Sequence, residues 1–128
     1  MDLLLSSISD DDEEYARVTA RMVRTWPHWR IAAGWGDILL RLVDDLSELD
    51  AKWSLRQVKG KFGLLQVASM SSLTGDELEA FRSRIRAAEE ESGRTCEECS
   101  APALRCDIKG YLYTLCADDE ARIREYAG

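Results

Sequence analysis

All four cysteines of the chain fall within residues 96–116, and the 95 residues before them contain none. The spacing Cys96-Glu97-Glu98-Cys99 sets two thiols on one side of a tight knuckle, the separation a tetrahedral zinc ion requires at a Zn–S distance of about 2.3 Å. Cys106 and Cys116 follow downstream. The opening Met1-Asp2-Leu3-Leu4-Leu5 carries an acid where a secretory leader requires a base, so a cytoplasmic setting is expected. In that setting clustered cysteines favour a metal over disulfides. Residues 94–117 hold few large apolar side chains, so the segment cannot build a core of its own. A bound ion would supply the missing folding free energy, and the expected cofactor is structural Zn2+.

The fourth ligand is open between two residues. No second C-x-x-C follows, and Cys116-Ala117-Asp118-Asp119 ends in an acid. Residues 103–116 read as a hairpin turning at Ile108-Lys109-Gly110. In a tight hairpin Cys106 pairs near 111–113 and stands roughly 13 Å from the Cys116 end, so Asp119 or water would complete the site. In an open loop Cys106 swings in. Thiolate is the softer structural ligand, so the preferred set is Cys96, Cys99, Cys106 and Cys116, with Asp119 as the alternative to Cys106. A hydrolytic zinc needs an open position and a general base. A zinc deaminase needs His or Cys two residues before Glu. The stretch Ser92-Gly93-Arg94-Thr95 offers neither.

A chain of 128 residues suits a single domain with a real core. Three parts are expected within it. Residues 1–33 form an N-terminal helical extension, residues 34–93 a helix–hairpin–helix core, and residues 94–128 a zinc-knuckle module with a short C-terminal helix. The acids from Asp10 to Glu14 and the spacing of Tyr15, Val18, Met22, Val23 and Trp26 predict a helix that ends before Pro27. Ile38, Leu39, Leu42, Val43, Leu46 and Leu49 predict a second from about Asp37 to Leu49. Residues 53–59 and 64–70 read as a hairpin about Gly60-Lys61-Phe62-Gly63. Thr74 and Glu77 have capping-box spacing ahead of a third helix that stops at Gly93. A last helix is expected from about Asp118 to Tyr126. The fold class is α+β, with helices packed on a small antiparallel hairpin or sheet and a C-terminal zinc-ribbon-like module.

Five short motifs in order carry a resemblance. They are Gly34-Trp35-Gly36-Asp37, Gln57-Val58-Lys59-Gly60-Lys61-Phe62-Gly63, Ala88-Glu89-Glu90-Glu91-Ser92, Thr95-Cys96-Glu97-Glu98-Cys99 and Thr114-Leu115-Cys116. Over residues 34–117 the chain resembles a family of small bacterial and phage zinc-knuckle proteins. The resemblance implies zinc at Cys96, Cys99 and Cys116, no enzyme activity, and a phage or mobile-element origin, hence a host cytoplasm. The chain departs from that pattern at Ser100, where the family prefers glycine, and at Asp119, where it often has histidine.

No other constellation carries chemistry. His28 is the single histidine, with no nucleophile beside it. Trp26, Trp29, Trp35 and Trp53 are expected in the core. A net charge of −7 argues against broad phosphate-backbone binding, and no run is apolar enough for a membrane helix. The function expected is therefore a non-enzymatic, zinc-stabilised protein-interaction module, with a host protein or protein–nucleic-acid complex as partner. In sharper form it is a phage-encoded inhibitor of a host defence complex, anti-CRISPR-like, whose acids occlude a nucleic-acid-binding site. The alternative is a zinc-ribbon nucleic-acid-binding regulator with Arg94, Arg105 and Lys109 as phosphate contacts.

Overall fold

The computed structural model describes residues 5–25 and 27–128. Trp26, where the first predicted helix ends, lies outside them. The described residues form a mixed α+β fold of four helices and three two-stranded antiparallel sheets. In chain order the elements are β1 (Ser7–Ser9), α1 (Ala16–Thr19), β2 (Arg30–Ala32), α2 (Gly36–Leu49), β3 (Ser54–Lys61), β4 (Leu64–Met70), α3 (Gly75–Ser92), β5 (Leu104–Ile108), β6 (Tyr111–Leu115) and α4 (Ala117–Ala127). Pairing joins β1 to β2, β3 to β4 and β5 to β6.

The main core forms where α2 and α3 pack with the β3–β4 hairpin. The predicted stripe of α2 is buried, with Ile38, Leu39, Leu42, Val43 and Leu46 inward. Leu55, Val58 and Leu65 meet it from the hairpin and Phe81 from α3. Trp29, Trp35 and Trp53 are buried as expected. Each indole N–H finds an acceptor, respectively Thr19 Oγ1 at 2.9 Å, the Thr95 carbonyl at 3.1 Å and Ser47 Oγ at 3.0 Å. Without those partners each ring would bury an unsatisfied donor.

The first predicted helix is corrected. Only Ala16–Thr19 is α-helical, after a 3-10 turn at Glu13–Tyr15. Asp12 folds back on Ser9 instead of leading a helix, its Oδ2 accepting the Ser9 N–H at 2.8 Å. Downstream, the Val23 N–H donates to the Leu55 carbonyl at 3.0 Å and the Leu55 N–H to the Arg21 carbonyl at 2.7 Å. Those bonds replace the i→i−4 ladder a longer helix would need. Tyr15, Val18 and Met22 are still buried, so the apolar spacing marked the right side chains and the wrong backbone. The N-terminal part also carries β1 and β2, which the helical reading of 1–33 omitted.

Two smaller expectations change. The strands of the first hairpin run to Lys61 and resume at Leu64, leaving a two-residue turn at Phe62 (φ 57°) and Gly63 (φ 77°). The Thr74 hydroxyl makes no capping bond to α3, whose first residue, Gly75, has a φ of 59°. Gly93 ends α3 in a right-handed conformation, so no left-handed cap forms. A Cβ there would stand 2.8 Å from Leu64 Cδ2.

Candidate metal centre

The second hairpin is tight. Lys109 (φ 53°) and Gly110 (φ 88°) make its turn, and Leu104 pairs with Leu115, Cys106 with Tyr113 and Ile108 with Tyr111. Cys116 leaves the end of β6 and caps α4, its Sγ accepting the Asp119 N–H at 3.5 Å. Asp119 sits one turn into that helix. The knuckle approaches from the other side, where Thr95 bridges Pro102 and the Cys96 N–H donates to the Ala101 carbonyl at 2.8 Å.

These elements bring Cys96, Cys99, Cys116 and Asp119 together, with one ligand atom from each lying within 4.8 Å of the others. Cys99 Sγ stands 3.7 Å from Cys116 Sγ. Cys96 Sγ and Cys116 Sγ each lie 3.3 Å from Asp119 Oδ2. Tetrahedral zinc with ordinary bond lengths sets sulfurs about 3.8 Å apart and sulfur and carboxylate oxygen about 3.5 Å apart. The donor set fits a metal ion in both chemistry and separation.

Cys106 stands outside this group. It lies on the β5–β6 face that carries Leu115 and Ile108, and packs with them and Ile123 of α4 in a second, small apolar cluster. The tight hairpin is the physical reason. Pairing opposite Tyr113 holds Cys106 a strand's length from Cys116. Burial pushes its thiol pKa up, as expected of a cysteine acting as a small apolar side chain.

Hydrogen bonds link these side chains, from Cys96 and Cys116 to Asp119 Oδ2 and between Cys99 and Cys116. Desolvation works against the Asp119 carboxylate, and hydrogen bonds from Cys96, Cys99 and Cys116 more than offset it, so Asp119 sits below its ordinary range. The Ala101 peptide favours the Cys99 thiolate, but desolvation, Asp119 and the other two thiols outweigh it and push Cys99 up to about 12. The Asp119 peptide likewise favours the Cys116 thiolate. Desolvation and the Asp119 carboxylate prevail, and Cys116 is raised. One negative charge thus suppresses its neighbours' ionisation until a cation is present to reverse the balance.

A supporting set of residues was not legible in the sequence. Arg122 Nη2 lies 3.5 Å from Asp119 Oδ1, which leaves Oδ2 to face the thiols. The two glutamates inside the knuckle tie it to the rest of the chain. Glu97 is buried, and its Oε2 accepts the Thr114 N–H at 2.7 Å. Glu98 accepts the Ser6 N–H at 2.7 Å. Gly34 comes so close that its N–H donates to the Glu97 carbonyl at 2.7 Å, and a Cβ there would stand 2.0 Å from the Cys96 carbonyl oxygen. Only glycine admits that approach. Ser100 occupies a left-handed φ of 70°, and its Oγ donates to the Gly34 carbonyl at 2.8 Å. Comparison with known proteins finds no matching family model, curated protein or solved structure.

Proposed function

We propose that the chain is a zinc-stabilised protein-interaction module without catalytic activity. The observation that carries this reading is the convergence of three thiols and Asp119 at tetrahedral spacing on a knuckle wedged between Gly34 and β6. Zinc is the metal that suits three thiolates and a carboxylate in a closed structural site. With four protein ligands supplied, no position remains for an activated water, which favours a structural over a hydrolytic role. Cys96, Cys99, Cys116 and Asp119 would hold the ion. It would order the knuckle and the N-terminus of α4.

A protein partner is favoured over nucleic acid by how the local cations are used. Arg105 donates to the Phe62 carbonyl and Lys109 to the Ala127 carbonyl, so two of the three candidate phosphate contacts bind backbone. In its sharper form the reading makes the partner a host complex that handles nucleic acid, with acids competing for its phosphate-binding channel. The exposed Asp11, Glu13 and Glu14 support that form. Elemental analysis of protein purified without added metal tests the central claim, with one zinc per chain expected. A metal-free chain whose C-terminal third keeps its structure in strong chelator would refute it. Pull-down at low salt tests the sharper form, which fails if no nucleic-acid-handling protein is recovered.

Among the described residues, no helix is long and apolar enough to cross a membrane.

A further inference from the structure

The four gathered side chains differ in how far they reach the surface. Cys96 is buried, Cys116 is half-buried and Cys99 is exposed. Asp119 is half-buried and carries no sulfur. An oxidant arriving from solvent therefore meets the Cys99 sulfur before any other ligand. Such a sulfur becomes a switch when a second one stands ready to react with it. Cys116 Sγ stands 3.7 Å away, in van der Waals contact.

Cys96 is the other sulfur within reach, and its main chain is fixed. Its N–H donates to the Ala101 carbonyl at 2.8 Å and its carbonyl accepts the Ser100 N–H at 3.1 Å. Its Sγ donates to Asp119 Oδ2 at 3.3 Å. Cys106 lies a strand's length away, in the apolar cluster under α4. The geometry thus singles out one pair of sulfurs, one at the surface and one directly beneath it. Joining them takes two ligands from the ion at once. Cys96 and Asp119 alone fall short of the four ligands a structural zinc requires. The main core holds none of the four cysteines, so the change acts on the C-terminal third by itself.

We propose that Cys99 and Cys116 form an oxidation site for hydroperoxides, and that the disulfide between them expels the ion. This rests on the metal reading and names what regulates the site. A zinc-bound thiol is deprotonated, so the oxidant meets a thiolate. The Cys99 thiolate attacks one peroxide oxygen, the O–O bond breaks, a sulfenic acid forms and hydroxide leaves. The Cys116 thiolate then attacks the Cys99 sulfur, the S–S bond forms and the sulfenic hydroxyl leaves as a second hydroxide. The two sulfurs give up two electrons, the peroxide takes both, and the two hydroxides take up protons from solvent to become water.

Titrating the full chain, as purified, with hydrogen peroxide tests it. One zinc per chain should appear in a chromogenic chelator while the chain becomes lighter by two hydrogens. Cleavage after Arg94, Glu97, Glu98 and Arg105 separates Cys96, Cys99 and Cys106, and the Cys99 fragment should be found joined to that of Cys116. Dithiothreitol, itself oxidised to a disulfide, should part the two sulfurs and restore binding of added zinc. Cys106→Ala should behave as the parent. Cys99→His keeps a zinc ligand and removes the exposed sulfur, so its ion should leave at least about tenfold more slowly. If that variant binds no zinc, the fragment map of the parent decides by itself. A disulfide through Cys96 or Cys106, a sulfinic acid in place of a disulfide, or zinc retained through excess peroxide overturns the inference and leaves the zinc reading intact. Release from Cys99→His at the parent's rate also overturns it. A chain that proves metal-free yet joins Cys99 to Cys116 refutes the zinc reading and leaves the oxidation site standing. A metal-free chain that forms no such bond overturns both.

Discussion

Around α2 and the first hairpin, seventeen buried apolar side chains among the described residues share one cluster, three of them indoles. Under α4 only four do, and one of these is Cys96. The two regions are built alike, each a hairpin with a helix against it, yet their means of holding together differ. The first has enough apolar surface to order itself. The second does not, and sets beside its small cluster four gathered ligand atoms, among which the Asp119 carboxylate helps to keep Cys99 and Cys116 protonated until a cation joins them. Coordination can therefore replace burial where a short segment offers few large side chains.

The largest expected effect removes that substitute. Cys96→Ser should abolish metal binding and free the 94–127 region, a loss on the order of 10 kcal/mol if the site binds zinc as structural sites do. Hydrogen exchange should show protection lost there and kept in α2; protection unchanged in both regions would break the contrast. Next, Trp53→Ala should cost about 3–5 kcal/mol in denaturant unfolding, because the indole is buried against Phe81 and its N–H is bonded. Metal content at low denaturant should not change. Gly34→Ala probes the seam. Its Cβ cannot fit beside the Cys96 and Glu97 backbone, and a cost of about 1–3 kcal/mol or more is expected together with weaker metal affinity. Full affinity in that variant would show that the knuckle does not depend on its dock.

Two smaller effects sharpen the same contrast. Cys106→Ala should retain stoichiometric metal and cost about 1 kcal/mol, whereas Asp119→Ala should weaken metal binding. The reverse order would restore Cys106 as the fourth ligand. Away from both regions, a hydrogen bond from His28 and the Trp29 N–H outweigh desolvation to hold the Asp10 carboxyl below its ordinary 3.8. Its contribution to stability is present above that value and fades as pH falls through the lower folded pKa. An NMR titration should find the Asp10 midpoint depressed, and His28→Ala should return it toward 3.8.

Much of this was legible in residue order. The α2 stripe, both hairpins, the knuckle and the terminal helix all follow from patterns repeated over several residues, which local physics enforces. The β5–β6 hairpin even contained the reason Cys106 stands apart, since its turn residues fix the register. The preference for thiolate had pointed the other way. The N-terminal part failed for the opposite reason. Tyr15, Val18 and Met22 have helical spacing, but the hydrogen bonds of Arg21 and Val23 belong to Leu55, more than thirty residues away, and no local pattern announces them.

The chain's order alone determined which side chains seek the interior and that thiols gather near the C-terminus, because both depend on composition and short-range periodicity. Only the tertiary structure decided that Asp119 joins Cys96, Cys99 and Cys116, and that Gly34 admits the knuckle. Each depends on where distant backbones meet, and a difference of a few ångströms there changes which atoms can share a partner.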